Sequence, residues 1–134
     1  MLDLIFDRTA EDVEAGTEKG FYRYTDLNRV QAAAVYLRGR FAAAGYDTVP
    51  AVPLSGWSEN DIPRRGRMDN YLRAVTVLHG LVPIPGSPAL PASPDRLDWT
   101  GANALEKFLS MAEDSLDRME AAAYFSGELF GGEV

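Results

Sequence analysis

Cysteine is missing from the 134 residues of this chain, which excludes a disulfide scaffold, a thiolate zinc or iron–sulfur site and a cysteine nucleophile. Histidine occurs once, at His79, with no second imidazole to share a metal. No uninterrupted apolar run approaches the roughly 18 residues that a membrane span requires. Positive charge is the minority sign: 13 Lys and Arg against 20 Asp and Glu leave a formal net charge of −7. That balance disfavours sequence-independent binding to nucleic acid or anionic lipid. The opening residues, Met1 to Asp7, lack a basic region and are interrupted by Asp3, so neither a secretion signal nor a transit peptide is expected and synthesis is placed in the cytoplasm. What is present is ordinary globular material, 46% apolar and 25% charged, in a length that fits one domain.

The pattern predicts an all-α fold: three long helices in a bundle, a short N-terminal helix, and extended segments at both termini. Residues 2–6 suit a brief strand or an extended arm. Thr9 or Asp7 can cap a short helix over about 10–18. The first long helix is capped by Thr25, carries Leu27, Val30, Ala34, Leu37, Phe41 and Ala44 at spacings of three and four, and is closed by Gly45. A connector with Pro50, Pro53 and Gly56 then pins Val49, Val52 and Trp57 onto the helices. The second long helix starts at Asp61-Ile62-Pro63, with Asp61 as cap, and presents Met68, Tyr71, Leu72, Val75 and Leu78. Five of the eight prolines fall in 83–95, a stiff non-helical crossover. Thr100 caps the third long helix, whose Leu105, Leu109, Ala112, Leu116, Met119 and Ala123 alternate by four and three. Residues 124–134 mix aromatics with glycine and read as an extended tail.

Candidate sites are few, and each has a plain structural explanation beside it. Asn28, Asn70 and Asn103 stand beside the apolar seams of the three long helices. Asparagine is a mediocre helix former, so some of these amides are expected to be buried and to hydrogen-bond neighbouring helices or loop backbone, fixing register; the alternative is exposure at first-turn positions. Arg64, Arg65, Arg67 and Arg73 form the one basic cluster; a protein-facing or intramolecular salt-bridge role is expected, and a phosphate partner is the alternative. His79 near a helix end is explained by the negative end of the helix dipole better than by catalysis. The carboxylates Glu113, Asp114 and Asp117 fall opposite the apolar seam and read as solvated surface. Trp57 and Trp99 read as staples at helix entrances, whereas Tyr124, Phe125 and Phe130 are harder to bury and suit docking to a partner. The Gly127–Gly132 stretch lacks the lysine and following helix of a phosphate loop. No metal, no cofactor and no catalytic group is expected.

One resemblance spans nearly the whole chain. The order Leu4-Ile5-x-Asp7-Arg8-Thr9-x-x-Asp12-Val13, Lys19-Gly20-x-Tyr22, Asp26-Leu27-Asn28-Arg29-Val30, Trp57 with Asp61-Ile62-Pro63, Met68-x-x-Tyr71-Leu72-x-x-Val75, Ala102-Asn103-x-Leu105-Glu106-Lys107 and Tyr124-x-Ser126-Gly127-Glu128 resembles a helical module of prophage structural proteins from Gram-positive gut bacteria. In those proteins it often lies near the end of tail or baseplate polypeptides. The resemblance implies a virion component without a reaction to catalyse, whose partners are other tail or baseplate proteins or further copies of itself. A bacterial adaptor or regulatory domain, or a module that contacts cell-wall carbohydrate through an exposed Trp57 or Trp99, are the alternatives.

Overall fold

The computed structural model describes residues 2, 4–15, 24–46, 54, 56–61, 64–81, 84–93 and 97–130, without the side chains of Arg65 and of residues 123–130. It contains four helices: α1 (Ala10–Ala15), α2 (Tyr24–Ala43), α3 (Arg65–His79) and α4 (Trp99–Phe130). No strand occurs among the described residues. Residues 4–9 form an extended arm instead, and Leu2 and Leu4 rest against the core.

The three long helices pack together because each carries one apolar stripe. α2 supplies Val30, Leu37 and Phe41, α3 supplies Tyr71, Val75 and Leu78, and α4 supplies Leu105, Leu109, Ala112 and Leu116, all essentially sealed from water. Each large aliphatic or aromatic side chain so buried stabilises the fold by about 1.5–3 kcal/mol. α2 packs on both α3 and α4, which meet each other more sparingly. Phe108, beside the expected α4 seam, is as buried as the seam itself and stacks at a tilt on His79, 5.0 Å between ring centroids.

Local chemistry sets the helix ends. Thr9 and Asp12 cap α1 reciprocally: the Asp12 N–H donates to Thr9 Oγ1 (3.1 Å) and the Thr9 N–H to Asp12 Oδ2 (3.0 Å). Gly45, at φ +96°, terminates α2. The Gly45 N–H donates to the Ala42 carbonyl and the Tyr46 N–H to that of Phe41, and the Phe41 and Tyr46 rings meet edge to face at 5.3 Å. The crossover turns at Ile84-Pro85-Gly86-Ser87, where Gly86 takes φ +81° and the Ser87 N–H reaches the Ile84 carbonyl. The predicted connector places Trp57 in the core; Val49 and Val52 lie outside the described residues.

Four expectations need correction. Thr25 lies inside α2, one residue past its start. Asp61 does not cap α3, whose N-cap is the extended Arg64 with no side-chain hydrogen bond; Asp61 accepts the Ser58 N–H (2.7 Å) and closes the preceding turn. Asp98, not Thr100, caps α4, because its Oδ1 accepts both the Gly101 N–H (2.9 Å) and the Thr100 hydroxyl (2.6 Å). The presumed extended tail over 124–134 is helical through Phe130, since Glu120 to Ala123 are strong helix formers and Gly127 alone costs only about 1 kcal/mol. Residues 131–134 lie outside the described residues.

The Thr100 hydroxyl and then the Gly101 N–H hold the Asp98 carboxyl below its ordinary value of 3.8. A depressed carboxylate contributes stability that is complete above the ordinary value and disappears as pH falls through the lower folded one. Asp98→Ala is therefore expected to cost about 1 kcal/mol at neutral pH, with the gap closing in acid. Urea denaturation of both proteins at neutral pH and near pH 2 checks this, and an undiminished gap in acid would refute the capping role.

Candidate interaction surfaces and the buried charge cluster

The charged residues of this acidic chain are not all at its surface. Glu106 on α4 is fully buried, Arg8 of the arm is 3% exposed and Asp26 of α2 is 6% exposed. Arg8 Nη2 lies 2.7 Å from Glu106 Oε2 and 3.6 Å from Asp26 Oδ1. Arg29 of α2 completes the set, with Nε 2.8 Å from Glu106 Oε1 and Nη2 2.6 Å from Asp26 Oδ1. Two cations and two anions thus cancel. Burial works against the Arg29 charge, but hydrogen bonds and charge from Glu106, then Asp26, outweigh it and hold the guanidinium above its ordinary value. Removing one member of such a set leaves an uncompensated buried charge, at a typical cost of about 3–5 kcal/mol.

The same face of α4 holds the arm. The Leu2 N–H donates to Glu113 Oε1 (2.9 Å) and the Ile5 N–H to Glu106 Oε1 (3.1 Å). Asn103 accepts the Arg8 N–H (3.0 Å) and donates to the Arg8 carbonyl (2.9 Å). Arm residues 8, 5 and 2 therefore meet helix residues 103, 106 and 113, so the arm runs antiparallel to α4. Glu113, expected in solvent, is 7% exposed; the arm covers it. Asp114 and Asp117 stand in water as expected, at 61% and 57% side-chain exposure.

Asn28 repeats the Asn103 device. It accepts the Trp57 N–H (2.8 Å) and donates to the Trp57 carbonyl (2.9 Å), while the Trp57 indole N–H donates to Gln31 (2.8 Å). Each asparagine therefore replaces a neighbouring strand for one residue of extended backbone. Asn70 is half-buried on α3 and clamps no loop in this way among the described residues.

Within the basic cluster, Arg67 makes an intramolecular ion pair with Asp61 (3.5 Å). Arg67 lies 3.7 Å above the Trp57 ring and donates to the Gly56 carbonyl (3.0 Å), so it seals the connector. Arg64 and Arg73 are exposed; the Arg65 side chain lies outside the described residues, as do those of Tyr124, Phe125 and Phe130, whose backbone is helical. Trp57 is only 5% exposed, which removes it as a carbohydrate platform. Trp99 is the first residue of α4 and lines a shallow cleft of about 390 Å³ with Phe6, Pro88 and Lys107.

Two further clefts are open and chemically sparse. One, about 470 Å³, lies between the α2 C-terminus and α4, lined by Ala43, Tyr46, Leu116 and Met119, with Arg40 bridging Asp117 and Glu120 at its rim. The other, about 550 Å³, separates α3 from the crossover and includes Asp69, Arg73, Thr76 and His79. Asp69 and His79 are ten residues apart on one helix, about 15 Å, beyond reach of a carboxylate–imidazole pair.

A third feature is a surface. The outward side of α2 exposes Ala32, Val35, Tyr36, Gly39, Ala42 and Ala43, none of them charged. Val35 is 60% and Tyr36 46% exposed. Gly39 has open space where a Cβ would stand, so the chain's own packing does not require it, although glycine in a helix interior costs about 1 kcal/mol relative to alanine.

Sequence reasoning overlooked both the charge cluster and this face. The signals were present: Asn103, Glu106 and Glu113 recur by three and seven along one flank of the α4 seam, and no charge interrupts residues 30–37. Among the described residues, no group of acidic and imidazole side chains is arranged to hold a metal ion, and no helix is long and apolar enough to cross a membrane. The chain matches no protein-family model, no curated protein and no solved structure.

The two clamps predict unequal asparagines. Asn28→Ala and Asn103→Ala each remove two hydrogen bonds to backbone and are expected to cost about 2 kcal/mol, whereas Asn70→Ala costs about 0.5 kcal/mol or less. Equal losses for all three in urea denaturation would contradict the assignment.

Proposed function

We propose that the chain is a non-enzymatic protein–protein interaction module of the phage or prophage virion type, associated with the tail. The observation that carries this reading is the division of charge between inside and outside. Arg8, Asp26 and Glu106 are buried and paired with one another and with the half-buried Arg29, while the outward face of α2 presents an uncharged stripe to water. An acidic domain that leaves Val35 and Tyr36 exposed on an uncharged helix face is suited to contact with another apolar surface. Gly39 supports the reading, because a small residue lets a second backbone approach closely. The resemblance to prophage tail modules supplies the biological setting, with other tail or baseplate proteins or further copies of the chain as partners.

A second copy is the occupant to test first. The face is free of like charges that a chain of net charge −7 would otherwise set against itself. About a twofold axis near the middle of α2, Gly39 of one copy faces Val35 of the other and Ala32 faces Ala42, so a small residue stands at each of these contacts. The adaptor reading instead expects a monomer that engages a single partner.

Light scattering after size exclusion, over a wide concentration range, separates these. The expected result is concentration-dependent association that Val35→Glu with Tyr36→Glu abolishes, with thermal unfolding unchanged because both side chains are exposed. A strict monomer at every concentration would favour the adaptor instead.

A further inference from the structure

The groove on α4 that holds the N-terminal arm has the features of a peptide receptor. It binds the arm through backbone groups at three points, Glu113 to Leu2, Glu106 to Ile5 and Asn103 to both sides of Arg8. It reads one side chain, Arg8, whose guanidinium meets Glu106 at 2.7 Å. Its polar walls are themselves buried, Glu106 completely and Glu113 to 7% exposure. An extended Leu-x-x-Ile-x-x-Arg segment satisfies every one of these contacts, whichever chain supplies it.

The connection behind the arm leaves that choice open. α1, which follows directly, has no buried residue, and its Val13 is 46% exposed. Eight residues then intervene before α2 begins. No burial of α1 therefore fastens the arm to the α4 of its own copy.

We infer that the Asn103–Glu106–Glu113 track is a receptor for the extended N-terminal arm, filled within the chain by residues 2–8 and, in self-assembly, by residues 2–8 of a second copy. Exchange of an identical element conserves all the bonds of the closed form. The balance is then set by concentration: the chain's own arm competes at an effective concentration of about millimolar, so exchanged pairs become populated as the protein approaches that range, as it does within an ordered assembly. The inference rests on the contact-module reading for its biological use and on the arm contacts for its chemistry.

The absence of cysteine makes the test direct. Lys107 Nζ stands 5.0 Å from the Phe6 ring centroid, so one thiol at each position is placed for a short bismaleimide. A Phe6→Cys, Lys107→Cys double variant at low concentration reports the closed arm by cross-linking within one chain. Separate Phe6→Cys and Lys107→Cys chains of different length, mixed and equilibrated, join as a heterodimer faster than freely colliding thiols only when the arm of one lies on α4 of the other, the collisional background being what remains under excess peptide of residues 1–9. The expected result is a heterodimer that rises from a trace at tens of micromolar toward parity with uncross-linked chain near about 1 mM. Excess peptide of residues 1–9 should suppress it, whereas the same peptide with Arg8→Ala should not. Cross-linking confined to the double variant, or a heterodimer indifferent to both peptides, would overturn the inference. Because the readout does not use the α2 face, it can succeed or fail independently of the effect of Val35→Glu and Tyr36→Glu on solution mass.

Discussion

Three buried charges, Arg8, Asp26 and Glu106, together with the half-buried Arg29, tie together the parts of this molecule that hydrophobic packing alone would leave loosely related. A buried carboxylate by itself is strongly destabilising. Glu106, fully sealed, is tolerated because two guanidinium groups and the Ile5 N–H surround it. One guanidinium comes from α2 and the other from the arm, so the buried Glu106 carboxylate has its full set of partners only when both elements are in place. The cluster specifies geometry more than it adds stability, since a well-packed apolar replacement of the whole set would often be neutral or better. An apolar α4 flank would accept the arm in several registers; a buried carboxylate with fixed partners accepts one.

The extended segments follow the same logic at smaller scale. Among the described residues neither the arm nor the connector at Trp57 has a neighbouring strand, yet their backbone groups are half-buried and need partners. Asn103 and Asn28 provide donor and acceptor from one side chain, each to a single residue. With the cation–π contact of Arg67 on Trp57, the connector is held by side chains of α2 and α3. Among the described residues, the arm and the Trp57 connector are thus fastened onto helix faces, while the outward side of α2 presents an uncharged surface.

Much of the architecture was legible because apolar periodicity is a strong signal. Val30, Leu37, Tyr71, Leu72, Leu109 and Leu116 are buried where their spacing places them, and Gly45 and the Thr9–Asp12 pair end and begin their helices as local chemistry requires. Polar residues were less legible, because a charge beside a seam reads the same whether it faces water or a partner distant in sequence. Glu113 was assigned to solvent, and the partner that buries it is Leu2, 111 residues away. Asp98 and Thr100, two residues apart, are both good cap types, and only the backbone path decides between them. The helical stretch through Phe130 was obscured by Gly127, a residue that weakens a helix without ending it.

The proposed role as a contact module depends on the rigid body that the charge cluster creates, since a surface on α2 and a receptor track on α4 keep their shapes only if α2, α4 and the arm hold one arrangement. A double-mutant cycle on Arg8 and Glu106 tests that claim most directly. Urea denaturation of the wild type, Arg8→Ala, Glu106→Ala and the double variant yields the coupling between the two positions. The account predicts strong non-additivity, on the order of 1.5–3 kcal/mol, with the double variant less damaged than the sum of the single ones. Additivity to within about 0.5 kcal/mol would show that the pair does not organise the fold and would contradict the account.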